Sequence, residues 1–286
     1  MHVRQNQASL SAQERQRFVA ALLKLKADGT YDRYVDLHKQ AMPQMSMAPM
    51  PGMPMTTMHM AHRNPWFLPW HREYLLRFEA DLQKTDSTVS LPYWDWITDN
   101  AASSSIWGAD FLGGDGQAPD YHVSTGAFAG SAGNWKLAVL DDGDTDPVLK
   151  RAFGKDGQLP VAADRTGALA ATPYDSAPWQ DRDGDTAARG FRWSLEHTVH
   201  DEVHMWVGGN MELATSPNDP AFFLHHCNVD RQWALWCQQH PTLDPYLPLT
   251  GAGQFDRDQP VPMLDITPAQ VLNHHALGYI YDTDPQ

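Results

Sequence analysis

The stretch from Leu195 to Trp236 constrains this chain most strongly, because it holds five of the fourteen histidines. His200 and His204 are four residues apart, so they share one face of a helix and can hold one metal ion together. Two glycines after this helix predict its end. The SPNDP sequence that follows predicts a tight turn and a new helix start. Two helices joined by a short connection are therefore expected.

The second of these helices carries His225 and His226, and Asp230 lies four residues beyond His226. A carboxylate at this spacing can accept a hydrogen bond from the second nitrogen of a metal-bound imidazole and fix its tautomer. By itself, a histidine pair at i, i+4 is weak evidence for a metal site. Together with the later histidine and the matched carboxylate, it predicts a three-histidine metal site.

Three of the histidines in the first quarter of the chain form a further group. A helix predicted from about Thr30 to Ala41 carries His38. His62 lies in a loop that a following proline keeps extended. His71 lies near the start of a helix expected just after Pro69. In isolation His38 would be interpreted as a core histidine, but the three together form a second group of candidate ligands.

Two groups of three neutral imidazoles favour copper, zinc or nickel over magnesium or calcium. A hydrolytic zinc site with three histidines would leave the other group unexplained. A di-iron site would need bridging carboxylates, for which only the second group has neighbours, Glu196, Asp201 and Glu202. Six histidines without a thiolate ligand therefore predict a coupled pair of coppers that binds O₂ between them.

Composition excludes several other classes of protein. The 286 residues are 42% hydrophobic with 11 tryptophans, which permits a large core, and the net charge is −14. No basic run occurs, so nucleic acid and anionic membranes are not expected partners. No apolar run reaches membrane-spanning length and the polar N-terminus does not resemble a signal peptide. The expected location is the cytoplasm. The alternative is export by a route for which this sequence shows no signal, or export together with a partner protein.

The two cysteines, Cys227 and Cys237, are ten residues apart on one predicted helix, about 15 Å along its axis. They are therefore expected to be unpaired, small buried residues.

Residues 42–60 contain eight of the twelve methionines and four prolines. The prolines forbid a helix, so one interpretation is a compositionally biased loop. The other is a copper-capture segment, because thioethers are soft ligands that select Cu(I). The candidate capture residues are Met53, Met55, Met58, His59 and Met60. On this hypothesis the segment replaces a separate copper-delivering partner.

The remainder of the chain carries weaker signals. Ser11 and Glu14 predict a capping box that begins a helix, which is expected to end at Asp28-Gly29. Residues 100–190 are rich in Gly, Asp, Ser, Ala and Pro and are predicted to be mostly loops. Two acidic clusters in this region lack the glycine position of a calcium-binding loop, so solvated turns are preferred. A short helix over Pro268–Asn273 and a strand in GYIYD are expected. His240, His274 and His275 have no ligand-like partner in the sequence and are interpreted as surface or core histidines.

The motifs around the six histidines resemble those of type 3 copper proteins of the tyrosinase and polyphenol oxidase family, nearest to small Streptomyces-like bacterial members. The matching segments cover nearly the whole chain and include YDRYVDLH, HRNPWFLPWHREYLLRFE, LPYWDW, HDEVHMWVGGNM and SPNDPAFFLHHCNVDRQW. The resemblance implies a mainly α-helical, single domain over residues 1–286, without a C-terminal lid. Its core would be a four-helix bundle holding a dicopper centre, with long irregular loops and a few short strands.

The same resemblance implies two copper ions as cofactors. One would be bound by His38, His62 and His71, and the other by His200, His204 and His226. His225 would be a neighbour of the second copper and not a ligand. Asn228 and Asp230 would not bind copper themselves but would contact the ligating histidines and hold them in position.

Roles in substrate handling are also implied. Glu196 and Asp201 would be catalytic carboxylates that orient a water acting as base toward a phenol. Phenol-hydroxylating members often have Asn at the second of these positions. Leu213, thirteen residues before His226, and Phe222 would control substrate access. Substrate choice is expected to depend on these positions.

The implied activity is oxidation by O₂ of a small phenolic or aminophenolic substrate. An o-diphenol or o-aminophenol would become an o-quinone or quinone imine, with ortho-hydroxylation of monophenols as an additional tyrosinase step. Two alternatives from other classes are a reversible O₂ carrier similar to haemocyanin and a copper-buffering protein. A single domain without a lid argues against the carrier, and only the methionines suggest the buffer.

Overall fold

The computed structural model describes residues 1–42, 59–181 and 186–285. Its α-helices are α1 (Ala12–Ala27), α2 (Thr30–Ala41), α3 (Phe67–Thr85), α4 (Ala162–Ala170), α5 (Phe191–Leu195), α6 (Asp201–Val207) and α7 (Ala221–Gln239). A π-helical turn, Glu196–His200, joins α5 to α6. Its strands are β1 (His2–Arg4), β2 (Gly116–Gln117), β3 (His122–Val123) and β4 (Tyr279–Tyr281). The prediction of a mainly α-helical chain with long loops and a few short strands is confirmed.

Helices α1 and α2 begin and end where their sequence signals predict. Ser11 caps α1 by accepting from the Glu14 backbone N–H, and the Glu14 side chain accepts from Ser11 in return. This reciprocal capping box satisfies two amides that the first helical turn leaves unbonded. Gly29 then adopts a φ of 77° between the helices, a conformation that costs glycine little. The chain can therefore turn sharply and place His38 on α2 against the core.

Helix α3 begins earlier than predicted, at Phe67 and not after Pro69. Pro69 lies in the first turn, where its missing N–H would have no helical partner, so the helix tolerates it. Further along, α3 packs on α7 through aromatic rings: the Phe78 and Phe223 centroids are 3.5 Å apart and stacked, and Tyr74 lies parallel to Phe223. This contact fixes His71 on α3 relative to His226 on α7.

The segment from α5 to α6 ends at a pair of glycines, as predicted. Gly208 and Gly209 have φ values of 69° and 57°. A Cβ at Gly209 would lie 2.3 Å from the carbonyl oxygen of Lys150, so this position requires glycine for space as well as conformation. A 3₁₀ turn at Ser216–Asn218 then leads into α7, which confirms the predicted turn and helix start.

The two ends of the chain meet beneath α7. Strands β1 and β4 pair in parallel, with His2 opposite Tyr279. This pairing places Arg4 and the hydroxyls of Tyr279 and Tyr281 around Asp230, which is 3% exposed. Removing one partner from such a buried charge group typically costs about 3–5 kcal/mol. The group therefore holds the chain termini to the helix that carries His226.

The described part of residues 100–190 is mostly loop, as expected. It also contains an α-helix that was not predicted, α4. Helix α4 is rich in alanine, and its Asp164 caps the backbone N–H of Val161. The helix predicted over Pro268–Asn273 is a shorter 3₁₀ turn, Pro268–Val271. The strand expected in GYIYD is β4. Cys227 and Cys237 are both free, as expected.

None of the helices in the described residues combines the length and apolarity needed to cross a membrane.

Candidate metal centre

The first group of histidines converges from two helices and a loop. His38 lies on α2, His71 on α3, and His62 in the connection before α3. One nitrogen from each ring lies within 4.8 Å of the others. The ring centroid of His62 is 5.4 Å from that of His38 and 4.8 Å from that of His71. We refer to these three residues as the first triad.

The second triad consists of His200, His204 and His226. The Nε2 atom of His226 lies 3.3 Å from Nε2 of His200 and 3.3 Å from Nε2 of His204. His200 ends the π-helical turn and His204 follows on α6. A π-turn inside a helix often occurs at functional sites, because it changes the direction of the side chains that follow.

The two triads face each other. The rings of His71 and His226 are stacked with centroids 4.2 Å apart, and those of His62 and His200 are 5.8 Å apart. The structure thus brings together all six histidines that the sequence predicts as ligands.

Backbone carbonyl oxygens fix the direction of three of these rings. Nδ1 of His38 donates to the Ala214 carbonyl at 2.8 Å, Nδ1 of His71 to Phe67 at 2.8 Å, and Nδ1 of His204 to Met211 at 2.6 Å. A neutral imidazole that donates from Nδ1 carries its lone pair on Nε2. The Nε2 atoms of His38 and His71 are buried and have no hydrogen-bond partner in the described residues. Such buried acceptors fit a metal ion.

Burial keeps these imidazoles neutral. It lowers the pKa of His38 to about 4 and, together with neighbouring His200, the pKa of His204 to about 3. The pKa values of His62, His71 and His226 are also well below the ordinary value because the rings are buried. Neutral rings retain the lone pairs that a metal requires.

A cavity of about 350 Å³ opens above the triads. His38, His62, His200 and His204 line it. Its walls and mouth add apolar side chains, Met42, Met205, Met211 and Leu213, and charged ones, Arg63, Asp201 and Glu212. A solvent-connected, largely apolar cavity over six imidazoles can admit a small aromatic molecule to a metal pair.

Comparison with known proteins identifies this arrangement. The model of the common central domain of tyrosinase matches residues 28–239, which span both triads. The chain belongs to the tyrosinase family. It is 46% identical over 281 residues to a tyrosinase of Streptomyces antibioticus, covering 96% of this chain and 97% of that protein. It is 39% identical over 311 residues to grixazone synthase of Streptomyces griseus, covering 99% of both chains.

Among solved structures, a polyphenol oxidase variant from Thermothelomyces thermophila aligns with a TM-score of 0.69 at 21% identity. The alignment covers 98% of this chain and 88% of that one, and it establishes a shared fold. Together with the family membership, these comparisons make the chain a type 3 copper polyphenol oxidase whose cofactors are two copper ions.

A fourth imidazole, His225, lies beside the second triad of this tyrosinase-family chain. It belongs to the same cluster of nitrogens, but its Nδ1 is 3.1 Å from the indole Nε1 of Trp96. An indole N–H can only donate, so Nδ1 accepts and the neutral ring carries its proton on Nε2. The ring then offers no free lone pair, which supports the expectation that His225 is a neighbour and not a ligand.

The prediction that Asp230 and Asn228 support the ligating imidazoles directly is wrong. Asp230 accepts from Arg72 at 2.6 Å and from the two tyrosines of β4, not from His226. Asn228 donates to the carbonyl of Trp94 at 2.8 Å. The i, i+4 spacing put Asp230 on the histidine face, but arginines distant in sequence pair with its charge. Nδ1 of His226 has no hydrogen-bond partner among the described residues, and backbone carbonyls orient only other members of the triads.

Asp201 contacts the metal centre through the imidazole of His200. Its Oδ1 lies 2.9 Å from Nδ1 of His200, and its Oδ2 lies 2.8 Å from Nη1 of Arg63. Burial acts to raise the pKa of Asp201, but the His200 hydrogen bond and the Arg63 charge outweigh it, so this pKa lies below the ordinary value. Asp201 therefore orients a candidate ligand, a role that the sequence did not assign to it.

Glu196 is fully buried beside the first triad. One of its carboxylate oxygens accepts from the Arg63 backbone N–H at 2.7 Å, and the other pairs with Arg192 at 3.1 Å. Arg63 has a positive φ of 59°, which is uncommon outside glycine. Glu196 thus holds a strained loop residue next to His62, and sequence reasoning missed Arg63.

The two predicted access residues differ in position. Leu213 lies at the cavity and is 37% exposed, as a residue that controls access requires. Phe222 is fully buried and stacks on His226 with a centroid distance of 4.1 Å. The prediction for Phe222 is wrong, because α7 turns this ring beneath the imidazoles and away from the mouth.

Of the candidate copper-capture residues, Met53, Met55 and Met58 lie outside the described residues. His59 lines the cavity. The backbone N–H of Met60 donates to the carbonyl of Ala41 at 3.2 Å. Met42, at the other boundary of this segment, also lines the cavity. Both described boundaries of the methionine-rich segment are therefore next to the first triad.

Proposed function

We propose that this chain uses O₂ to oxidise o-diphenols and o-aminophenols to o-quinones and quinone imines. In this proposal the first triad holds one copper and the second triad holds the other. The observation that carries it is the pair of facing triads at the base of an open cavity, with Nε2 atoms turned inward by backbone carbonyls. The family assignment supplies the metal and the reaction class.

The two coppers, when bound, supply the redox chemistry between O₂ and the substrate. Each o-diphenol molecule loses two electrons and two protons as its two hydroxyl groups become carbonyl groups. One O₂ molecule takes four electrons and four protons to form two water molecules. The expected stoichiometry is therefore two substrate molecules for each O₂.

The protein's contribution is to hold the imidazoles rigidly and to receive the aromatic ring. Carbonyl oxygens and Asp201 fix the ring orientations, so little reorganisation is needed during the reaction. Leu213 and Met205 give the mouth apolar surface against which a substrate ring can pack. The rings of Phe222 and Phe67 pack against the histidines from inside, which keeps water away from their far side.

Hydroxylation of a monophenol requires, in addition, a group that accepts the phenol proton. Both oxygens of Asp201 and both oxygens of Glu196 already accept hydrogen bonds or pair with arginine. Carboxylates whose oxygens are engaged in this way are poor proton acceptors and are less available to orient a water that would act as the base. We therefore expect monophenol hydroxylation to be slower than o-diphenol oxidation.

This proposal is tested by measuring O₂ consumption by the copper-loaded protein with catechol, 2-aminophenol and tyrosine in parallel. Turnover of catechol and 2-aminophenol at two molecules per O₂, faster than turnover of tyrosine, is the expected result. Reversible O₂ binding without consumption of any of the three would contradict the proposal and favour an O₂ carrier. Tyrosine turnover as fast as catechol turnover would contradict the expectation for hydroxylation alone.

A further inference from the structure

We propose that His274, His275 and Asp284 form an additional metal site, distinct from the two triads, that takes a divalent transition ion such as Zn²⁺. The Nε2 atom of His274 lies 2.8 Å from Oδ2 of Asp284, and the Nε2 atom of His275 lies 3.5 Å from the same oxygen. The three candidate ligand atoms all lie within 4.8 Å of one another. The interpretation of both histidines as residues without a ligand-like partner is therefore wrong, because the chain end folds back on them.

The spacing of these atoms suits a zinc ion. Zinc binds histidine nitrogen and carboxylate oxygen at about 2.0–2.2 Å in a tetrahedral arrangement, which separates ligand atoms by roughly 3.3–3.5 Å. The separation of 2.8 Å is shorter than this range and the separation of 3.5 Å lies at its upper end, so movements of less than about an ångström would accommodate the ion. Two histidines and one carboxylate also leave a fourth position for water.

The backbone explains how two consecutive histidines reach one carboxylate. Side chains of adjacent residues diverge on a regular helix or strand. Here a turn follows, in which the Leu277 and Gly278 N–H groups donate to the carbonyls of His274 and His275. The two ring centroids are 4.4 Å apart. The turn therefore brings both rings to the same side.

Two hydrogen bonds from neighbouring parts of the chain hold the Asp284 carboxylate in position. Its Oδ1 accepts from Nε2 of Gln238 on α7 at 2.9 Å, and its Oδ2 accepts from the Tyr281 backbone N–H at 2.9 Å. The residue is 6% exposed. Hydrogen bonds of this kind orient a carboxylate ligand before the metal arrives.

Charge distinguishes this cluster from another group of similar composition. Asp181, Glu196 and His197 are also close enough to share an ion. The carboxylates of that group, however, pair with the guanidinium of Arg192, so a positive charge already occupies the position of a cation. Within the described part of the chain, Asp284 has ion-pair contacts only with the two imidazoles. Its negative charge is therefore available to a metal.

The site can be reached from solvent, since the His275 side chain is 48% exposed. An ion bound there would connect the turn before β4 to the chain end after it. Strand β4 pairs with β1 and supplies two tyrosine hydroxyls to Asp230. Occupancy should therefore stabilise the joined chain ends, because a ligand that binds only the folded state raises its stability.

The test is a titration of Zn²⁺ into the protein with both coppers bound, followed by calorimetry and by thermal unfolding. We expect one zinc site and a rise in Tm on zinc addition. His275→Ala should weaken zinc binding by at least about tenfold, since loss of a ligand costs no less than loss of a group that orients one. It should also abolish the zinc-dependent rise in Tm, while Tm without zinc stays close to that of the wild type because this side chain is half exposed.

The matched control is His122→Ala. His122 is also a partly exposed histidine paired with a carboxylate, Asp146, at 2.7 Å, but it belongs to no group of three candidate ligands among the described residues. Zinc binding by this variant should equal that of the wild type. The proposal is overturned if the wild type binds no zinc, or if His275→Ala binds it as tightly as His122→Ala does.

Discussion

Single residues at the mouth of the cavity determine its charge. Arg63 and Asp201 pair with each other at 2.8 Å, so their charges cancel. Glu212 also lines the cavity, and it has no ion-pair contact in the described residues. Its pKa is raised by burial and by nearby Asp156, whereas Lys155, which pairs with Asp156, acts in the opposite direction. The mouth therefore carries a net negative charge that attracts cationic substituents.

Glu212→Gln should change the preference between charged catechols. We expect the ratio of kcat/KM for dopamine to kcat/KM for 3,4-dihydroxyphenylacetate to fall by about threefold, the value of an exposed charge pair. The control is Glu202→Gln, which removes the same charge from an exposed position on α6 that does not line the cavity. Equal changes in the two variants would show that long-range charge, and not Glu212 at the mouth, sets the preference.

At the residue scale, the sequence identified six histidines that converge in the structure, but it misassigned several of the residues around them. The six histidines were identifiable because their spacing and motifs are local. The oxygens that orient three of the rings are the backbone carbonyls of Ala214, Phe67 and Met211, and a backbone carbonyl has no sequence signal. Asp230 was misassigned because i, i+4 spacing gives a shared face but not a partner. Its actual partners include Arg4, 226 residues away in sequence.

At the scale of elements, local signals located most helix ends. The Ser11 capping box, the Gly208-Gly209 pair and the SPNDP turn each marked a boundary that the structure confirms. The π-helical turn at Glu196–His200 was not predictable, because its extra residue is accommodated by packing among distant segments. Helix α4 was missed because its short alanine-rich sequence resembles the surrounding loops.

The methionine-rich segment is the element whose role is most open to experiment. We expect that deleting residues 43–58 slows copper loading at limiting copper, because thioethers capture Cu(I) and both described boundaries of the segment line the cavity. The hydrogen bond between Met60 and Ala41 keeps those boundaries close, so a short linker can join them. Loading is followed by recovery of catechol turnover after copper addition to the metal-free protein.

A second variant separates the thioethers from the length of the segment. Replacing the six methionines within residues 43–58 (45, 47, 50, 53, 55 and 58) by leucine keeps the length and the apolar character. If capture depends on sulfur, this variant should load as slowly as the deletion. Wild-type loading rates in both variants would refute the capture hypothesis, and a defect in the deletion alone would restrict the role to the length of the segment.

At the scale of the whole molecule, the two triads come from opposite parts of the chain. The first triad lies within residues 38–71 and the second within residues 200–226, and the α3–α7 aromatic contact brings them face to face. The pairing of β1 with β4 then closes the chain ends around Asp230 beneath α7. Sequence motifs indicated each half of the centre, but only the long-range packing explains how two distant segments produce one cavity.

The most direct test of this account is the copper content of single-ligand variants. After copper loading and removal of free metal, in a His275→Ala background that removes a ligand of the additional metal site, the chain should retain two coppers. In that background His71→Ala and His226→Ala should each retain one, because each removes one ligand from a different triad. His240→Ala, whose imidazole pairs with the Leu169 carbonyl away from both triads, should retain two. Two coppers in either triad variant, or fewer than two in the His275→Ala parent, would contradict the assignment of the two triads to two coppers.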